Sequence, residues 1–177
     1  MKEKLISKKK IYKGKIFSLE CAKVKIKNGR TAERDIIRHG GAVAIVPFTK
    51  SKKILLTKQF RFAINKIVYE IPAGRLEKNE TPLSCAKREM MEETGHKIKN
   101  AKKLLTFYPC VGYSNEKLHI FTANLSTYTK TNPDFDEIIE TFEVPLDKAI
   151  YMIKTGKIKD SKTIIALLAV KLKLQHK

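Results

Sequence analysis

The chain has 177 residues, of which 42% are hydrophobic, enough for one compact domain with a small appendage. No apolar run approaches the ~20 residues that span a membrane, and the opening MKEKLISKKK lacks the apolar core of a secretory signal, so a cytoplasmic location is expected. The formal charge is +19, yet only six of the 37 basic residues are arginine, and the lysines run from Lys2 to Lys177 without interleaved aromatics. That distribution fits a solvated surface better than a nucleic-acid interface, and its positive field speeds the encounter with small polyphosphates. Cys21, Cys85 and Cys110 are odd in number and lack metal-ligand spacing, as in a protein with reduced thiols.

The segment to about His39 reads as a β unit. Phe17, Leu19 and Cys21 alternate with polar neighbours, Val24 and Ile26 continue after a phase slip, and Asn28-Gly29 predicts a two-residue hairpin turn into Thr31 to Arg38. A sheet this small is marginal alone and needs a surface to pack on. The main domain begins at Gly40, with strands expected over Ala42 to Phe48, Ile54 to Phe60 and Ile67 to Ile71. Division into residues 1–39 and 40–177 follows.

The densest chemistry lies from Gly74 to His96, GRLEKNETPLSCAKREMMEETGH. Thr81 suits an N-cap, Pro82 the first helical position and Gly95 the left-handed residue after the last turn, predicting one helix of about 14 residues. Leu83, Ala86 and Met90 share its expected core face, and Glu89, Glu92 and Glu93 cluster beside it. Like charges three and four apart oppose helix formation by roughly 0.2–0.5 kcal/mol per pair, and Arg88 is the local offset. Carboxylates converging on one face suit a hard divalent cation; the alternative is a capped helix with an acidic surface stripe.

Beyond the box, strands are expected over Leu104 to Tyr108 and Leu118 to Leu125, joined by the loop PCVGYSNEK. An acidic loop follows from Ser126 to Glu140, with Asp134, Asp136 and Glu137, then a short strand over Phe142 to Val144 and a helix over Leu146 to Lys154. Asp160 or Ser161 caps a last helix whose apolar face is read as Ile164, Ile165, Leu168 and Leu172. His39, His96, His119 and His176 show no ligand spacing.

The box resembles the signature of the Nudix hydrolases: glycine, five residues, glutamate, seven residues, then Arg-Glu-aliphatic-x-Glu-Glu-x-Gly-aliphatic. Gly74, Glu80, Arg88, Glu89, Glu92, Glu93 and Gly95 all match, and His96 stands where an aliphatic residue is usual. The flanking GRTAERDIIRHGGAVAIVPF, Gln59-Phe60-Arg61 and Glu70-Ile-Pro-Ala-Gly resemble the ADP-ribose pyrophosphatase branch. The resemblance implies an α/β/α sandwich with a mixed sheet, preceded by a small antiparallel β subdomain that builds a homodimer. It implies Mg²⁺, with Mn²⁺ as a possible substitute, held by Glu89, Glu92, Glu93 and the Ala73 carbonyl, with Arg88 orienting the glutamates. Arg61 would contact the substrate and Glu70 would lie in its pocket; a surface ion pair and an edge-strand charge are the alternatives for these two. PCVGYSNEK resembles the family's catalytic loop, with Glu116 at the general-base position and an exposed loop glutamate as the alternative; by the resemblance Glu116 or a box glutamate, Glu92 or Glu93, activates the water, so Glu93, Glu92, Glu116 and Arg88 are the expected catalytic residues. The expected reaction is hydrolysis of ADP-ribose to AMP and ribose 5-phosphate. Val111 stands where the branch has its marker proline, which leaves a nucleotide sugar, a dinucleoside polyphosphate or a capped RNA as other substrates. A non-catalytic ADP-ribose-binding module is the reading from a different class.

Overall fold

The protein is described by a computed structural model covering residues 2–131 and 138–175. Asp134, Asp136, Glu137 and His176 therefore lie outside the described residues. The chain forms two compact units, residues 1–41 with 107–117, and residues 42–106 with 118–177.

The first unit is an antiparallel sheet of β1 (Lys4–Lys13), β2 (Phe17–Lys25) and β3 (Thr31–His39), in that order. The turn between β2 and β3 differs from the expected two-residue form. Ile26 N–H donates to Arg30 O (2.9 Å), so three residues, Lys27-Asn28-Gly29, make the loop, with Gly29 at φ +83°. A three-residue hairpin needs its left-handed position at the end, and glycine supplies it without strain. β1 was not legible as a strand, because it is exposed along both faces and carries Lys4, Lys8, Lys9, Lys10 and Lys13. Residues 107–117 dock on β3: Ile37 N–H donates to Tyr113 O (2.7 Å) and His39 N–H to the Asn115 side chain (2.8 Å).

The second unit is built on a mixed sheet. β4 (Ala42–Phe48) runs parallel to β9 (Leu118–Tyr128), and the path β10-β5-β4-β9-β8 includes β5 (Ile54–Arg61), β8 (His96–Phe107) and β10 (Ile139–Val144). β4 and β5 meet only at Phe48 and Ile54. Past that point they part: β5 takes β6 (Lys66–Glu70) as its partner, and β4 takes β7 (Ala73–Arg75). The chain crosses this fork through Ile71 and Pro72, sealed by Ile45 N–H donating to Pro72 O (2.9 Å). Glu70 and Ala73 thus come to stand on either side of the fork.

Helix α1 (Pro82–Thr94) covers one face of the sheet. Cys85, Ala86 and Met90 pack there against Val43, Ile45, Leu55, Phe121, Ala123 and Leu125. Periodicity had favoured Leu83 over Cys85, but Leu83 is 40% exposed and Cys85 fully buried. The smaller side chain lets the helix approach the sheet, and the thiol donates to Arg75 O (3.2 Å). Helices α2 (Leu146–Lys154) and α3 (Ser161–Gln175) complete the unit, giving the α/β/α sandwich. Strand β8 begins at His96, eight residues before the predicted Leu104, since its first turns alternate weakly. The face read for α3 is also corrected. Thr163, Ala166, Leu167 and Val170 are buried, and Ile165, Leu168 and Leu172 are exposed. A helix apolar nearly all round carries no directional signal in its sequence.

Met90 is wholly buried at the centre of the α1 core. Met90→Ala is expected to lower unfolding free energy by about 2–5 kcal/mol, read as a reduced urea midpoint with unchanged slope.

Candidate active site

The site is organised by α1 and its caps. Thr81 Oγ1 accepts from Ser84 N–H (3.2 Å), Pro82 opens the helix, and Gly95 closes it at φ +69° with its N–H donating to Met91 O (2.9 Å). Side chains at positions 89, 92 and 93 are thereby fixed relative to the loop that precedes the helix.

Arg88 is the hub. Its Nε and Nη2 donate to the two oxygens of Glu80 (3.0 Å each), and its Nη1 donates to Glu89 and Glu92 (2.8 Å each). Nη2 also donates to Arg75 O (3.0 Å), so one guanidinium joins β7, the loop and the helix. Glu80 in turn accepts from Glu77 N–H (3.1 Å). Arg88's hydrogen bonds hold the Glu80 carboxyl down at about 2, and the same bonds raise Arg88 itself. Burial pushes the Cys85 thiol up to about 12, with the Glu80 charge adding to the effect, so this cysteine is no nucleophile.

On the β7 branch, Ala73 N–H donates to Glu93 Oε2 (3.2 Å), and Glu93 is only 6% exposed. A Cβ on Gly74 would collide with the Glu89 carboxylate, so glycine there is a matter of clearance. Arg61, at the end of β5, donates from Nε (3.0 Å) and Nη2 (2.5 Å) to Glu70, whose side chain is 6% exposed. The structure thus brings together Arg88, Glu80, Glu89 and Glu92, pairs Ala73 with Glu93, and pairs Arg61 with Glu70.

Glu116 belongs to the other unit. Its side chain is 31% exposed, its N–H donates to Ser114 Oγ (3.1 Å), and Oε1 lies 3.9 Å from His39 Nδ1. That nitrogen also accepts from Gly41 N–H (3.0 Å). Val111 is 80% exposed. His96 follows the helix C-terminus, its Nδ1 2.9 Å from Thr94 O and its ring 5.0 Å from that of Tyr128. Sequence reasoning missed Lys162, which donates to Glu70 Oε2 (3.1 Å) from 92 residues away. Its only local signal was its place in the first turn of α3.

The family model described as NUDIX domain matches residues 38–167. The chain is a Nudix hydrolase. It is 39% identical to the ADP-ribose pyrophosphatase of Bacillus subtilis over 98% of this chain and 95% of that protein. It is 38% identical to the methanol dehydrogenase activator of Bacillus methanolicus, over 99% and 97%. It is 35% identical to the GDP-mannose pyrophosphatase of Escherichia coli K12, over 75% and 78%. A solved structure described as an ADP compounds hydrolase superposes with a TM-score of 0.88 at 18% identity, covering 99% of this chain and 96% of that one; this supports the fold.

Nudix hydrolases work with a divalent cation. Among the described residues, no three His, Cys, Asp or Glu side chains are gathered around one point as a ready cage. Arg88 stands against both Glu89 and Glu92, and its single charge, shared with Glu80 as well, offsets theirs only in part. The fit to a cation rests on donor chemistry. Glu89, Glu92 and Glu93 offer hard oxygens from one helix, and Gly74 gives Glu89 room beside the backbone.

The depressed Glu80 carboxyl makes a pH prediction for this Nudix hydrolase. A folded-state value near 2, below the ordinary 4.5, stabilises the fold above about pH 4.5 and loses that contribution as pH falls toward 2. In chelator, Glu80→Gln should therefore be less stable than the parent at pH 7, and the gap in Tm should narrow steadily on acidification from pH 4.5 toward pH 2. A gap independent of pH would remove the Arg88–Glu80 charge interaction as its source.

Proposed function

We propose that this Nudix hydrolase uses Mg²⁺ and water to cleave the pyrophosphate of ADP-ribose, giving AMP and ribose 5-phosphate. The observation that carries the reading is the 39% identity to an ADP-ribose pyrophosphatase over 98% of the chain, together with an unbroken glutamate set in the box. A bound divalent cation supplies neutralisation of phosphate charge and a more acidic water. Glu89, Glu92, Glu93 and the Ala73 carbonyl would hold it, and Mn²⁺ would serve in place of Mg²⁺. Arg88 orients Glu89 and Glu92 through its two 2.8 Å bonds, as groups behind metal ligands commonly do.

Arg61 presents a half-exposed cation suited to a phosphate, while Glu70 anchors it from the buried side. Glu116 takes or directs the proton of the attacking water, and its partial exposure suits a base that exchanges protons with solvent. The new bond joins water oxygen to phosphorus, the bridging P–O bond breaks, and the other phosphate departs with the electron pair. The chain acts as a cytoplasmic homodimer, in which the N-terminal strands of one subunit complete the partner's substrate site. Support for assembly comes from exposed apolar side chains in that unit, among them Leu5, Ile6, Ile11 and Phe17.

A nucleotide sugar is the second reading, favoured by Val111 at the marker position and by the 35% identity to a GDP-mannose pyrophosphatase. Product analysis in ¹⁸O water with Mg²⁺, over ADP-ribose, GDP-mannose and a dinucleoside polyphosphate, separates the two and shows which phosphorus is attacked. The expected result is turnover of ADP-ribose above the others, and its absence would remove the leading substrate. Glu93→Gln should lower kcat by about two orders of magnitude or more while the protein stays folded; full activity would overturn the mechanism.

A further inference from the structure

The N-terminus of α3 carries a polar network outside the box. Asp160 caps the helix, its Oδ2 accepting from Thr163 N–H (2.9 Å) and from Thr163 Oγ1 (2.6 Å). The Thr163 hydroxyl, fully buried, in turn accepts from Ile71 N–H (2.9 Å), inside the fork between β6 and β7. Asp160 Oδ1 accepts from Lys162 Nζ (3.0 Å), and the same ammonium donates to Glu70 Oε2 (3.1 Å). Glu70 then holds Arg61 through two further bonds.

The charges alternate along this path, Asp160⁻, Lys162⁺, Glu70⁻, Arg61⁺, with Glu70 the most buried member and Arg61 the most exposed. Side-chain exposures are 16% for Asp160, 17% for Lys162 and 6% for Glu70, then 38% for Arg61 at the open end. The inner end is rigid, since a helix N-cap and a saturated hydroxyl fix Asp160. Burial alone would push the Glu70 carboxyl up; hydrogen bonds from Arg61 and the charge of Lys162 outweigh it, so Glu70 stays ionised and below its ordinary range. The two bonds between Arg61 and Glu70 lock guanidinium and carboxylate to each other but not to the rest of the fold. Lys162, donating to Oε2 as well, ties that pair to the N-terminus of α3 and so sets where the guanidinium is held.

We propose that Lys162 and Asp160 are positioning residues for substrate binding. Lys162 aims Arg61 through Glu70, and Asp160 holds both Lys162 and, through Thr163, the backbone two residues before Ala73. This rests on the reading of Arg61 as a substrate contact. Neither residue touches the reacting atoms.

The test is a double-mutant cycle of Lys162→Met and Arg61→Ala with ADP-ribose. Lys162→Met should raise KM by about tenfold with kcat changed less than about threefold, and Lys162→Arg should restore most of the loss. In the Arg61→Ala background, Lys162→Met should raise KM no further, because its effect passes through Arg61. Equal effects in both backgrounds would overturn the proposal and leave Lys162 a general structural charge. Asp160→Asn keeps an N-cap acceptor, so α3 should persist by circular dichroism while KM rises as in Lys162→Met. An unchanged KM would remove Asp160 from the path.

A second readout needs no substrate. The ¹⁵N heteronuclear NOE of Arg61 Nε should fall in Lys162→Met, and an unchanged value would overturn the proposal. A parent enzyme that leaves ADP-ribose intact would instead refute the substrate assignment, while the Arg61 NOE would still decide the role of Lys162.

Discussion

The site depends on one cation shared by three carboxylates. Glu80, in the loop before α1, and Glu89 and Glu92, in its C-terminal half, would repel each other, and in a partly buried setting that repulsion is poorly screened. Arg88 resolves this because its planar fork reaches all three at once and still has a donor for the Arg75 carbonyl. A lysine could neutralise one carboxylate but could not hold this geometry. The glutamate cluster, the preceding loop and strand β7 are therefore one mechanical unit.

That unit stands beside a forked sheet. β4 and β5 separate after Phe48 and Ile54 and carry β7 and β6 away with them. A continuous sheet would bury Ile71 and Pro72 in a regular ladder. The fork instead leaves their backbone to be satisfied from elsewhere, by Ile45 N–H on one side and Thr163 on the other. It also separates the two tasks of the site, since Arg61 and Glu70 lie on the β5–β6 branch while Ala73 and Gly74 lie on the β7 branch with α1.

Features set by neighbours in sequence were legible. Thr81, Pro82 and Gly95 mark the ends of α1 by local chemistry, and the spacing of Arg88 to Glu92 fixes which side chains share a face. Features set by distant partners were not. Nothing near Lys162 signals that it meets Glu70, and Asp160 reads as an ordinary cap until Thr163 is seen to reach Ile71. The apolar face of α3 was misread for a related reason: Ile165, Leu168 and Leu172 form as good a stripe as Ala166, Leu167 and Val170, and the approach of β4 decides between them. Leu83 lost its expected place to Cys85 because close approach of helix to sheet favoured the smaller side chain. β1 escaped because its lysines hide the alternation that marks a half-buried strand.

Those lysines have a consequence of their own. β1 is an outer strand of its sheet, and an outer strand offers a row of unpaired backbone groups to any similar strand that comes near. Five lysines in ten residues make that row repel its own copies, so strand-to-strand stacking into insoluble fibres is discouraged. The same repulsion limits how two chains can join through this sheet: contact along the β1 edge is disfavoured, and contact through apolar side chains such as Leu5, Ile6 and Ile11 remains open.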